Sequence, residues 1–188
     1  MAGLRLGVVT DTQDVTGRVL ETRPAEVDQI RLEEALAPFR GEILQIPPMY
    51  SAIKRNGQKL YELARRGQEV ERAPRPVTIS ALEVLKQEGP TDFQVRVVCS
   101  KGTYVRTLCH DIGQVLGCGG TMYALRRTRV GRFTQGVTLE ELARAVQAGE
   151  DLLQPVDRCF EDYPPLAVDG RTRDRYIRNG TPCPWSGP

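Results

Sequence analysis

The sequence predicts an α+β fold: a largely antiparallel sheet with flanking helices. Three observations carry this. Residues 75–85 and 93–99 alternate apolar and polar side chains on either side of Glu88-Gly89-Pro90, the pattern of two strands joined by a turn. Asn56-Gly57 is a second turn signal, of the kind that closes a two-residue hairpin. Stretches of helical spacing at 24–40, 103–116 and 138–148 are interspersed among these extended pieces.

In chain order, Leu4, Leu6, Val8 and Val9 give a short apolar strand ending at Thr10-Asp11-Thr12, and a turn follows at Asp14-Val15-Thr16-Gly17. Val19 begins another extended piece. Over 24–40, Val27, Ile30, Leu32, Leu36 and Phe39 supply one apolar helix face, closed by Gly41. Ile43, Leu44 and Ile46 then run extended into Pro47-Pro48. The two prolines fix φ and remove two donors, so Tyr50 leaves a stiff, non-helical stem. Residues 59–66 read as a short helix ended by Gly67. After the 75–99 hairpin, Val105, Leu108, Ile112 and Leu116 keep helical spacing until Gly117. Residues 122–133 read as a strand with alternate basic residues. Thr138 followed by Glu141 is a capping box opening a helix to Ala148. From Tyr163-Pro164-Pro165 onward the pattern looks like a fresh start.

The 188 residues suffice for one good-sized domain with a small appendage, and 40% hydrophobic with 27% charged content suits a soluble globular chain. No apolar run approaches the ~20 residues of a membrane span, and residues 1–10 read as a strand, not a signal peptide; the expected location is the cytoplasm. Cys99, Cys109, Cys118, Cys159 and Cys183 are odd in number and contain no C-x-x-C pair, and His110 is the only histidine, which argues against a disulfide framework and a metal site. With no heptad and no long apolar patch, a monomer is expected. Net charge is only +2 but uneven. Residues 1–50 carry five basic and eight acidic side chains; 52–75 carry seven and three; 101–132 carry six and one. The middle of the chain is therefore the part suited to a phosphate backbone, although a solvated surface gives the same bias.

Three segments could carry chemistry. In Pro47-Pro48-Met49-Tyr50-Ser51-Ala52-Ile53-Lys54, the proline stem presents a tyrosine able to stack on a base or move a proton, with Lys54 in reach of phosphate. A half-buried edge-strand tyrosine is the plainer alternative. In Cys99-Ser100-Lys101-Gly102-Thr103-Tyr104-Val105-Arg106, a strand passes through a glycine turn into a helix. There Lys101 can meet an anion and Arg106 can grip a carboxylate or phosphate in two-point fashion. A surface arginine paired with Asp111 is the alternative. Arg126, Arg127, Arg129 and Arg132 crowd a stretch whose apolar members are Leu125, Val130 and Phe133. It reads either as an RNA-facing rim with an apolar wedge or as an edge strand protected by charge.

Taken in order, these segments resemble the TruB family of tRNA pseudouridine synthases. The resemblance rests on Thr10-Asp11-Thr12-Gln13-Asp14 with Gly17, 46–54, Gly57, 60–67, Arg75-Pro76-Val77, 99–108, Asp111-Ile112-Gly113 and Leu125-Arg126-Arg127, and runs from Leu4 to about Leu142. It implies a pseudouridine synthase fold over 1–160 and the start of a small PUA-like RNA-binding barrel over 161–188. It implies isomerisation of uridine 55 in the T arm of tRNA, with the base flipped into a cleft, and no cofactor or metal. By the same resemblance Tyr50 is the active-site tyrosine and Arg106 the partner of the catalytic aspartate. Tyr104 and Leu125 line the pocket, and Lys54, Arg65, Lys101, Arg126 and Arg127 lie toward the RNA. The family's nucleophilic aspartate belongs to an upstream Gly-Thr-Leu-Asp-Pro segment that this sequence does not contain, and Asp11 and Asp14 match a different block. The chain thus reads as clipped at both ends. The resemblance leaves two expectations: a T-arm pseudouridine synthase, or an RNA-binding remnant lacking the nucleophile.

Overall fold

The computed structural model describes residues 1–134, 136–164, 175–176 and 178–179. Backbone contacts divide the chain into two compact units, Met1–Gln135 and Gly136–Pro188.

In the first unit the chain opens with β1 (Ala2–Leu6) and β2 (Val8–Thr10). The single strand expected over 4–9 is broken at Gly7. Its φ of +83° and the Arg23 carbonyl, 2.7 Å from where a Cβ would stand, make it a position only glycine fills. β2 therefore leaves the main sheet and pairs with β3 (Val19–Thr22). Helix α1 (Gln29–Leu36) starts later than the apolar spacing suggests, because Asp28 caps it by accepting a 2.8 Å hydrogen bond from the Arg31 amide. Pro38 has no N–H to continue the ladder, so the helix tightens into a 3-10 turn over Ala37–Phe39.

β4 (Gly41–Gln45) leads into the Pro47-Pro48 stem. β5 (Lys54–Arg55) and β6 (Gln58–Lys59) form the expected hairpin around Asn56 and Gly57, both at positive φ as a type I′ turn requires. Then come α2 (Leu60–Arg65), the long β7 (Arg75–Gln87), β8 (Asp92–Cys99), α3 (Val105–Val115) and β9 (Gly120–Leu125). The strand expected over 122–133 ends at Leu125. Arg126-Arg127 breaks the apolar alternation, and Gly131, at φ +56°, turns the chain back on itself.

Five strands make one antiparallel sheet in the order β4-β7-β8-β1-β9. The core cluster joins Leu4, Leu6, Ile79, Leu82, Phe93 and Met122 of the sheet with Leu32 and Leu36 of α1 and Leu108, Cys109 and Ile112 of α3. Each such fully buried Leu, Ile or Phe contributes about 1.5–3 kcal/mol of transfer free energy. The opposite face is held by polar contacts: Arg5 makes a two-point 2.8 Å ion pair with Asp92 and lies over the Tyr123 ring. Gly3 leaves the room beneath that ring.

In the second unit, α4 (Leu139–Ala148) has the expected capping box, with the Thr138 hydroxyl accepting from the Glu141 amide and the Glu141 carboxylate accepting from the Thr138 amide. Gly149, at φ +74°, ends it. A 3-10 turn follows at Val156–Phe160. Most of the proposed start of a PUA-like barrel over 161–188 lies outside the described residues. No described helix is long and apolar enough to cross a membrane.

Candidate functional site

Strand order decides where the site residues gather. In an antiparallel sheet β4, β8 and β9 run one way and β7 and β1 the other. The carboxyl ends of β4, β8 and β9 therefore share one rim with the amino ends of β7 and β1. The proline stem leaves β4 at that rim, the Lys101 turn leaves β8, and the arginine-rich segment leaves β9.

Two contacts tie the first two segments together. Gln45, only 2% exposed, accepts from the Tyr104 amide at 2.8 Å and donates to the Tyr104 carbonyl at 3.1 Å. This holds Tyr104 in the extended cap conformation (φ −95°, ψ 102°) and starts α3 at Val105. Arg106, in the first turn of α3, donates through Nη2 to the main-chain carbonyl of Tyr50. The Asp111 alternative for Arg106 is thus replaced by a long-range tie, and it is the Tyr50 carbonyl, not its phenol, that receives the guanidinium. Tyr50 itself is half-buried. A third contact anchors α3 from the other side: the Thr107 hydroxyl donates to Gln13 at 2.6 Å, and Gln13 holds a positive φ of 62°.

Below the stem, Pro47, Ile53, Lys54, Arg55, Leu60, Glu71, Arg72, Ala73 and Arg75 line a cleft of about 440 Å³. Arg72 closes one wall by donating to the Pro47 carbonyl at 3.3 Å, while its Nε is buried without a partner. The lining carries four cationic side chains against one carboxylate, an arrangement able to hold phosphate oxygens. Lys54 is exposed on the hairpin beside it. Arg65 lies over the Tyr61 ring at 5.3 Å, and Lys59 lies 5.5 Å from the same ring centroid. Lys101 stands exposed on the glycine turn.

Leu125 closes β9 with half its surface open, and Arg126 and Arg127 follow it into solvent. The Arg126 amide donates to the Met1 carbonyl at 2.8 Å, which keeps this exit point at the sheet rim. The fold thus brings Tyr50, Tyr104 and Arg106 into one constellation, with Lys54 in the cleft below the stem and Leu125, Arg126 and Arg127 at the same rim; Arg65 is held on the Tyr61 ring. Gln45 and Arg72 were not foreseen. A polar residue at the inward position of the Ile43-Leu44-Gln45 strand was the available signal for the first; Arg72 carries no local signal. Among the described residues no cluster of His, Cys, Asp and Glu could hold a metal ion.

A cationic rim on an antiparallel sheet, with an arginine at a helix start, makes a surface suited to a phosphate backbone. Comparison with known sequences narrows that reading. The profile of the TruB family pseudouridylate synthase N-terminal domain matches residues 1–105, and that of the tRNA pseudouridylate synthase B C-terminal domain matches residues 106–161. The chain belongs to the TruB family of pseudouridylate synthases. It is 51% identical over 179 residues to tRNA pseudouridine synthase B of Burkholderia lata, covering 94% of this chain and 55% of the relative. It is 52% identical over 172 residues to that of Stutzerimonas stutzeri, covering 88% and 56%. The chain thus spans little more than half the length of these relatives. Among solved structures, a Cbf5-Nop10-Gar1 complex matches with a TM-score of 0.55 and 29% identity over 80% of this chain and 37% of the other. An H/ACA RNP bound to a substrate RNA containing 2'-deoxyuridine matches at 0.51 and 25%, over 80% and 36%.

Proposed function

We propose that this chain is the RNA-facing part of a tRNA pseudouridine synthase that acts on uridine 55 of the T arm. The observation that carries the reading is the Gln45–Tyr104 and Tyr50–Arg106 pair of ties, which builds one rigid constellation from two segments far apart in sequence. Membership of the family supports it. In this reading the target uridine leaves the T loop and enters beside Tyr50, Tyr104 and Leu125. A carboxylate from a Gly-x-x-Asp-Pro segment, which these 188 residues do not contain, attacks the nucleoside while Arg106 steadies its charge. The bond between N1 and the ribose breaks, the base turns, C5 bonds to the ribose as the carboxylate is released, and the C5 proton leaves as N1 gains one. Tyr50 stacks on the base and receives the C5 proton. Lys54, Arg65, Lys101, Arg126 and Arg127 bind phosphates of the T-arm stem. The reaction is redox-neutral and needs no cofactor; the protein acts as a monomer in the cytoplasm.

The test is tritium release from a T-arm hairpin labelled at uridine C5, with protein in excess, assayed for this chain alone and for this chain joined to a Gly-x-x-Asp-Pro segment, and with binding followed in parallel by fluorescence anisotropy. Release that falls about a hundredfold in Arg106→Lys, and by a similar factor in Tyr50→Phe, with hairpin binding kept, is the expected result. Unchanged release in Tyr50→Phe would remove the phenol from the chemistry and leave only its main-chain role. Salt-sensitive binding without any release would support the second expectation, an RNA-binding chain without its own nucleophile. Absence of both binding and release would overturn the reading.

A further inference from the structure

The arginine-rich segment beyond β9 does not continue as a strand. Val130 and Phe133 exchange main-chain hydrogen bonds, amide to carbonyl, at 2.9 and 3.0 Å, closing a two-residue turn over Gly131 and Arg132. Gly131, at φ +56°, takes the first central position, the glycine site of a type II′ turn. Residues directly opposite one another in an antiparallel pair point to the same face. Val130 and Phe133 therefore form one apolar plate, and both are open, at 55% and 42% exposure. Arg129 folds back on the turn, its Nε donating to the Gly131 carbonyl at 2.9 Å. From Leu125 to Phe133 the segment carries four arginines and no carboxylate.

A charge-protected sheet edge does not account for this arrangement, because the segment has left the sheet. An apolar plate held by a tight turn and approached along a run of guanidinium groups has the chemistry of a platform for an unstacked nucleobase. The arginines meet the flanking phosphates and the ring meets the base face. We infer that the Val130–Phe133 turn is a stacking platform for an unpaired nucleotide of the bound RNA, separate from the Tyr50–Arg106 constellation. It would therefore favour RNAs with an unpaired nucleotide flanking the stem over plain duplex. This rests on the RNA-binding reading above.

The probe is a T-arm hairpin with a single-stranded extension, compared with the same stem as a blunt duplex. Phe133→Ser is expected to weaken hairpin binding about tenfold and to leave duplex binding and the thermal transition unchanged. Phe133→Trp in a Trp185→Phe background is expected to keep hairpin binding, with indole fluorescence quenched by the extended hairpin and not by the duplex. Equal loss on both RNAs, or no loss and no quenching while the unaltered chain binds, would overturn the platform and leave the RNA reading standing. No binding by the unaltered chain would overturn both. Binding to vesicles of anionic lipid that Phe133→Ser abolishes, with RNA binding intact, would reassign the plate to a membrane surface.

Discussion

Gln45 shows how much one side chain can decide. Its amide satisfies both main-chain groups of Tyr104 while nearly sealed from water, so the start of α3 is fixed from a different strand. Leaving those two groups unpaired would cost about 1–3 kcal/mol each. Asp111, on the same helix, is strained in the opposite sense. Burial pushes its carboxyl up from the usual carboxylate range to about 6. The folded chain therefore holds a proton through a range in which the unfolded chain has released it, so stability falls as pH rises from about 4 through 6 and stays lower above. Asp111→Asn is accordingly expected to raise Tm at pH 7.5, with the gain shrinking toward zero below pH 4. Thermal unfolding at both pH values checks this, and an equal offset at the two would contradict it. The Asp111-Ile112-Gly113 block was visible in the sequence as a family feature, but burial of the carboxyl was not, since it depends on what packs over the helix.

At the scale of elements, α3 and β9 meet through glycine. A Cβ on Gly113 would stand 2.1 Å from the Gly120 amide nitrogen, and one on Gly120 would stand 2.6 Å from the Cys109 carbonyl. Both obstacles are main chain, so neither a rotamer change nor a side-chain shift makes room. Gly113→Ala is expected to destabilise the chain by about 3 kcal/mol, the upper end for overpacking, despite alanine's better helix propensity. Urea unfolding measures it, and a neutral or stabilising result would mean that helix and strand can separate at little cost. Sequence spacing foresaw this helix over 103–116, close to the observed Val105–Val115. It foresaw the Asn56-Gly57 hairpin and the Thr138 capping box for the same reason: these are local devices whose hydrogen bonds close within a few residues. It failed at Gly7 and after Leu125, where continuation depends on having a neighbour strand to pair with.

Across the whole molecule, the core sorts the thiols. Cys109 lies in the main cluster, where burial pushes its thiol up to about 12, and Cys118 is also buried; Cys159 is exposed. Brief alkylation of the native chain, mapped by peptide mass spectrometry, is expected to label Cys159 and to spare Cys109 and Cys118 until denaturant is added. Labelling of Cys109 at the native rate of Cys159 would show that the core is not closed. The same global packing made the candidate site. The sequence by itself determined the α+β class, the family and the cationic middle of the chain, and offered Tyr50, Tyr104 and Arg106 as candidates, because patterning and turn chemistry are local and motif order survives in one dimension. Only the tertiary structure decided that these residues share a rim, that Arg106 reaches the Tyr50 carbonyl, and that the arginine segment folds into an exposed apolar turn. Those outcomes follow from which strands pair and in which direction, a choice made by burying one sheet face across the first unit.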